Sequence, residues 1–267
     1  MRGLKYAVKQ GIMLTLSGIG PMLPRKHPPI FVYHSFDESG SCVSITPSLF
    51  REQMEFLKEN GYRTLTISEM VKLYKEGSAF PEKSVALTFD DGLENNYTVA
   101  YPILRELGLT ASIFLAVDYI GKACTWDKKP DIPDFPLMTW EMAGELGGYG
   151  IDLQSHTATH PHLTKLPDAE VREEVRRSKA VIEEKLGKKC EVLCYPYGEF
   201  NERVAEITAE EGYAGATAGH PEKEGLHSMR RVGSGHINST LALKAALNNG
   251  FPLFYDMKIA ARKIFSR

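Results

Sequence analysis

The chain has 267 residues and a formal net charge of −2, with 43% hydrophobic and 25% charged residues. That length suits one large domain or two small ones, and a charge so close to zero leaves no electrostatic footprint for nucleic acid. Cys42, Cys124, Cys190 and Cys194 show no Cys-x-x-Cys spacing, which argues against a zinc knuckle or a thioredoxin-type motif. On a regular strand Cys190 and Cys194 would point the same way about 13 Å apart, so no disulfide is expected between them.

Arg2, Lys5 and Lys9 precede the mostly apolar stretch from Gly11 to Leu23, the order of charge and apolarity found in a signal peptide. No small-x-small cleavage site follows, Pro21 and Pro24 interrupt the run, and the stretch is short of the ~20 residues of a helical span. Two readings stay open for residues 1–26: a helix docked on the domain, or contact with a membrane surface. Strand-like and helix-like patterns then alternate over residues 27–238, taken as one domain.

Pro29 to Tyr33 is a short apolar strand. Thr46 and Pro47 make a helix start as N-cap and first-turn proline, and that helix stops at Gly61. Ser68 is expected to cap a second helix ending near Gly77. Val85 to Phe89 reads as a buried strand, followed by a helix from Asn96 to Leu107 that Pro102 kinks or restarts. Thr110 to Ala116 is a strand rich in β-branched and aromatic residues. Asp118 to Pro136, rich in Asp, Lys and Pro, reads as a long surface loop that shapes a binding site. Thr139 caps the next helix, and Gly150 to Gln154 is a strand. Asp168 to Leu186 is a charged helix with Val171, Val175 and Ile182 inward. Strand Glu191 to Tyr195, helix Asn201 to Glu211 and strand Tyr213 to Thr217 complete the pattern, which weakens beyond. Residues 239–267 form a C-terminal segment in which Phe254, Met257, Ile264 and Phe265 alternate with Lys258, Arg262, Lys263 and Arg267. A terminal helix packed on its own domain is preferred there over one lying on anionic lipid.

Repeated βα units with short connections call for a parallel sheet with helices outside. The chain has no Gly-x-Gly-x-x-Gly at the first βα turn and no Walker-type loop, so nothing supports nucleotide binding. A closed or nearly closed α/β barrel fits best, because the chemistry-bearing residues fall at several strand ends.

Asp90 and Asp91 end the strand Val85 to Phe89. Two adjacent carboxylates there repel each other unless a cation or a shared proton compensates. His156 and His160 follow another strand. Their i, i+4 spacing suits one cation, with Pro161 restricting them to a loop or short turn. Such a His pair arises by chance often, and Asp91 is what strengthens it. Two imidazoles and a carboxylate leave positions open for water and substrate, the composition of a catalytic site. The competing role for Asp90 or Asp91 is a helix cap, which needs only one of them.

These stretches resemble the polysaccharide deacetylases, the NodB-homology group of carbohydrate esterase family four. Thr88-Phe89-Asp90-Asp91-Gly92 is similar to that family's first motif, His156-Thr157-Ala158-Thr159-His160 to its second and Cys194-Tyr195-Pro196-Tyr197-Gly198 to its third. The resemblance covers about Pro29 to Gly235. It implies a distorted (β/α) barrel of the NodB-homology type and a divalent metal on Asp91, His156 and His160. Zinc suits that set, and cobalt, manganese or nickel could occupy the same ligands. It further implies Asp90 as general base and the backbone N–H of Tyr197 as oxyanion donor. The implied activity is removal of N-acetyl groups from N-acetylhexosamine units of a glycan, most similar to deacetylases of poly-N-acetylglucosamine exopolysaccharides. A cell-envelope or membrane-associated setting then fits better than a cytoplasmic one.

Two departures stand out. Cys194 occupies the place of an arginine that orients the base, so Asp90 needs another partner. No Leu-x-His triplet ends the chain to supply the general acid. Val32-Tyr33-His34 has that pattern near the start, and in a barrel the first and last strands can be neighbours. His34 is therefore preferred as acid over its competitor, His236. Pro196, Trp126 and Tyr119 are candidates for touching sugar, Trp126 being favoured for stacking over Trp140, which reads as core. Two other functions are weighed: an amidase for a small non-sugar C–N bond, and an inactive carbohydrate-binding relative, supported mainly by Cys194.

Overall fold

The computed structural model describes residues 26–126 and 132–248, with a few single positions outside these ranges. The expectations for residues 1–26 and for the basic C-terminal segment therefore lie almost wholly outside the described residues. No helix among the described residues is long and apolar enough to cross a membrane.

Eleven strands are described: β1 (Ile30–Tyr33), β2 (Ser35–Phe36), β3 (Ser44–Ile45), β4 (Arg63–Leu65), β5 (Ser84–Phe89), β6 (Ser112–Leu115), β7 (Asp152–Ser155), β8 (Val192–Cys194), β9 (Gly215–Ala218), β10 (Met229–Arg230) and β11 (Val232–Gly233). The main sheet runs β10-β9-β8-β7-β6-β5-β1-β11, all pairs parallel, and β4 also pairs with β5. Its two ends, β10 and β11, are consecutive pieces of chain parted by Arg231. Met229 pairs with Thr217 on one side, and Val232 pairs with Phe31 on the other. One kinked strand thus joins the edges into a nearly closed barrel, and the expected neighbouring of first and last strands is realised as β1 beside β11.

Alternation along the strands sorts two cores. Ile30, Ala86, Phe114, Val192, Cys194 and Met229 form a smaller cluster from one face of the strands. Phe31, Tyr33, Leu87, Phe89, Ile113, Leu153 and Leu193 belong to the larger cluster shared with the helices. Helix Pro47–Glu59 packs against Tyr101–Leu107 and Thr240–Leu247, while Asp168–Leu186 packs against β7, Trp140–Gly148 and Glu202–Glu210.

Several predicted boundaries hold because a cap sets them. Thr46 accepts from Leu49 N–H, Thr139 from Met142 N–H, and Asn201 from Val204 N–H. One cap differs. Thr66, not Ser68, starts helix Ile67–Glu76 by accepting from Glu69 N–H. The Ser68 hydroxyl instead donates to Asp152 Oδ1 at 3.0 Å, tying this helix to the start of β7. The expected break at Pro102 is a turn of π-helix over Asn96–Ala100 before the α-helix Tyr101–Leu107. All four cysteines are free, so the absence of a Cys190–Cys194 bridge agrees with their spacing.

Candidate active site

The site lies at the C-terminal ends of the barrel strands, in a cavity of about 270 Å³ lined by residues that include His34, Asp90, Asp91, His156, His160 and Arg231. β1 delivers His34, β5 the two aspartates, β7 His156, and β8 leads to Tyr197. Parallel strands end on one side of the barrel, which is why residues so far apart in sequence meet there.

Asp91 Oδ1 lies 3.6 Å from His156 Nε2 and 3.5 Å from His160 Nε2, and one donor atom from each of the three falls within 4.8 Å of the others. The carbonyl of Cys194 can only accept, so His156 Nδ1–H must donate to it, at 2.8 Å. That bond fixes the tautomer and leaves the Nε2 lone pair facing Asp91. Burial pushes the His156 imidazole down to about 4 and His160 down to about 2, so both rings are neutral at neutral pH and free of charge that would oppose a cation. The donor set therefore fits a divalent metal. A second group, Asp90, His156 and Cys194, also converges, but it suits a cation less well. Burial drives the Cys194 thiol well up, and a metal needs the thiolate. Both Asp90 oxygens are also already engaged.

Their partner is Arg231. Its guanidinium donates to Asp90 Oδ1 at 2.7 Å and Oδ2 at 2.8 Å, and it reaches Cys194 Sγ at 2.9 Å. Burial alone would raise the Asp90 carboxyl, but the charge of Arg231, helped by His156 and His34, holds it well below the usual carboxylate range. The arginine missing at Cys194 is thus replaced in space from the barrel's closing strand. Nothing in the sequence pointed to Arg231 as that partner, and only its position at a strand end could have signalled it.

His34 Nε2 stands 3.8 Å from Asp90 Oδ2. Tyr33, wholly buried, anchors it by donating to Gln53 Oε1 at 2.8 Å, and Asn96 Nδ2–H donates to the His34 carbonyl at 2.7 Å. His236 lines the same cavity, with its ring 6.1 Å from that of His220. Trp126 also lines the cavity, and its ring stacks on His160 at 4.7 Å and 26°. Tyr119 supports Trp126 edge-on at 4.6 Å and packs on the hydrophobic core, as Trp140 does. Pro196 is buried and starts the single 3-10 turn Pro196–Gly198 that presents Tyr197.

Five non-glycine residues among those described have positive φ. Four of them, Asp91, Thr157, His160 and Tyr197, lie in the three motifs. Each such conformation costs about 1–3 kcal/mol and persists only where its surroundings enforce it. Around the histidines the enforcing residue is Glu174, on helix Asp168–Leu186. Its carboxylate accepts from Ala158 N–H at 3.0 Å, Thr159 N–H at 2.9 Å and Thr159 Oγ1–H at 2.7 Å.

Comparison with known proteins agrees with this geometry. A family profile described as polysaccharide deacetylase matches residues 77–216. The chain belongs to the polysaccharide deacetylase family. A Bacillus subtilis protein, YxkH, described as a polysaccharide deacetylase, is 31% identical over 208 residues, covering 76% of this chain and 70% of its own. The poly-β-1,6-N-acetyl-D-glucosamine N-deacetylase of Staphylococcus epidermidis is 27% identical over 63% of this chain, and this chain spans 59% of its length. Among solved structures, the Streptococcus pyogenes deacetylase PplD in complex with acetate superposes with a TM-score of 0.71 at 24% identity, covering 81% of this chain and 96% of that one. IcaB from Ammonifex degensii superposes with a TM-score of 0.68 at 23% identity, covering 82% and 97%. Both share the fold. As a polysaccharide N-deacetylase by family, the chain is a hydrolase, and its Asp91, His156 and His160 cluster supports a divalent metal.

Proposed function

We propose that this protein removes N-acetyl groups from poly-β-1,6-linked N-acetylglucosamine at the cell envelope, with zinc as its metal. The observation that carries the reading is the division of labour at the end of β5. Asp91 faces two neutral imidazoles, while Asp90 is turned to Arg231 and held ionised. The named activity of the staphylococcal relative supports the substrate, and two imidazoles with one carboxylate suit zinc.

Asp91, His156 and His160 would hold a divalent cation, which would supply Lewis-acid chemistry toward the acyl oxygen. Asp90 takes the proton of the attacking water, and Arg231 fixes the plane of its carboxylate. The backbone N–H of Tyr197 donates to the developing oxyanion. His34, 3.8 Å from Asp90, returns a proton to the departing amine. Arg231 beside Asp90 also removes the main argument for an inactive relative, since Cys194 no longer leaves the base without a cationic partner.

The test is acetate release from β-1,6-linked N-acetylglucosamine oligomers. Activity should vanish with a chelator and return with zinc. His34→Ala should lower kcat by about 10²–10⁴-fold with zinc affinity intact, and His236→Ala should change it little. Chelator-resistant release, or none from any acetylated glycan with any divalent metal, defeats the reading.

A further inference from the structure

Tyr197 is 37% exposed, yet its ring is held from two sides. His160 meets it in a T-shaped contact at 4.7 Å and 69°, and the face of His162 lies flat against it at 4.0 Å and 15°. His162 is two residues beyond His160, across Pro161. Its Nδ1–H donates to Glu199 Oε2 at 2.8 Å, and Glu199 itself ends the turn that carries Tyr197. A ring stack and a hydrogen bond therefore join the histidine loop to the tyrosine turn at two points.

The floor of that turn is rigid. A Cβ on Gly198 would lie 2.7 Å from Gly219 N and 2.8 Å from Gly219 Cα, and Gly219 N–H donates to Gly198 O at 3.1 Å. On its other side the turn carries Tyr197 between the rings of His160 and His162. Tyr197 sits at φ 61, ψ 4, a left-handed conformation that a non-glycine residue keeps only under restraint.

We propose that His162 is a positioning residue for the deacetylation reaction. Pinned by Glu199, its ring holds Tyr197 in the left-handed conformation and keeps the oxyanion turn in register with the metal-ligand loop. This rests on the function proposed above. His162 acts through Tyr197 and touches neither metal nor reacting atoms, so an aromatic ring that cannot titrate or ligate should replace it in part.

The experiment compares His162→Ala, His162→Phe and Glu199→Ala in the full chain with three readouts: kcat and KM for acetate release, zinc titration, and the 19F resonance of 3-fluorotyrosine at position 197. His162→Ala should lower kcat by about 10- to 100-fold, the usual result of displacing an oxyanion donor without deleting it. KM and zinc affinity should stay within about threefold, and the fluorine resonance should move as the stacked ring is lost. His162→Phe should recover most of kcat and of the shift, with Glu199→Ala falling between. A rise in KM at unchanged kcat would make His162 a sugar platform and overturn the proposal, as would loss of zinc affinity or an unmoved resonance. If the wild type deacetylates no glycan, the function reading fails. The resonance then decides the clamp alone: a shift restored by Phe supports it, and no shift removes it.

Discussion

Asp90 and Asp91 are chemically identical neighbours, and everything that distinguishes them comes from what each faces. Arg231 donates to both oxygens of Asp90 inside a buried site, so the low pKa of this carboxyl belongs to the pair. Because its folded value is depressed, the pair stabilises the fold fully above the ordinary carboxylate range, about 3.9. That stabilisation is lost only as pH falls through the lower folded value. Arg231→Met removes the charge that lowers the Asp90 pKa, so a pH–rate profile should show its acid limb displaced to higher pH as well as a lower maximum. The same variant leaves a buried carboxylate uncompensated, which should cost about 3–5 kcal/mol in denaturant melts. Cys194→Arg should impair rather than improve acetate release, because the Arg231 guanidinium already lies 2.9 Å from Cys194 Sγ. An active Cys194→Arg enzyme with an unchanged pH profile would show that Arg231 is not the base's partner.

At the scale of elements, the helix Asp168–Leu186 does more than cover the sheet. Glu174 on it ties down the loop between His156 and His160, where Thr157 and His160 both hold positive φ. The loop's carbonyls are taken up as well, Val117 N–H donating to Thr157 O at 3.3 Å and Asp118 N–H to Ala158 O at 3.1 Å. If the loop holds the metal as proposed, this anchoring pre-organises it, so its anchor should matter to the metal. Glu174→Ala is expected to weaken zinc binding by about 10- to 100-fold, as loss of an outer partner of metal ligands usually does. Competition titration with a chromophoric chelator measures this directly. Unchanged zinc affinity would confine Glu174 to holding the helix in place.

Across the whole molecule, the barrel is closed by Met229–Gly233, and the residue at its kink is the one that holds Asp90, the proposed base. Closure and the setting of Asp90 are therefore coupled, since any displacement of β10 or β11 moves Arg231. The proposed ligands Asp91, His156 and His160 likewise come from β5 and β7, either side of β6. A cation on them ties together strands that unfolding separates, so binding should stabilise the fold. Free zinc at about 100 times its dissociation constant should add about 2.7 kcal/mol, or roughly 5–10 °C in Tm for a domain of this size. His160→Ala should abolish the increment. A Tm independent of zinc in the wild type would mean that the cluster does not hold the metal in solution.

By itself, the sequence determined the elements whose signals are local. Thr46, Thr139 and Asn201 cap helices where hydroxyl or amide chemistry demands, and apolar runs mark β1 and β5. The aspartate pair, the histidine pair and the Pro-Tyr-Gly turn were legible for the same reason, being contiguous motifs. What only the tertiary structure decided is what those motifs meet. Arg231 reaches Asp90 across 141 residues, and the two-residue strands β10 and β11 are too short to show any periodicity. Glu174 and His162 look like ordinary surface residues in the sequence, because a charge on a helix face or a ring after a proline acquires a role only from its neighbour. A parallel barrel brings distant strand ends together by closing on itself, and closure leaves no local trace in the chain.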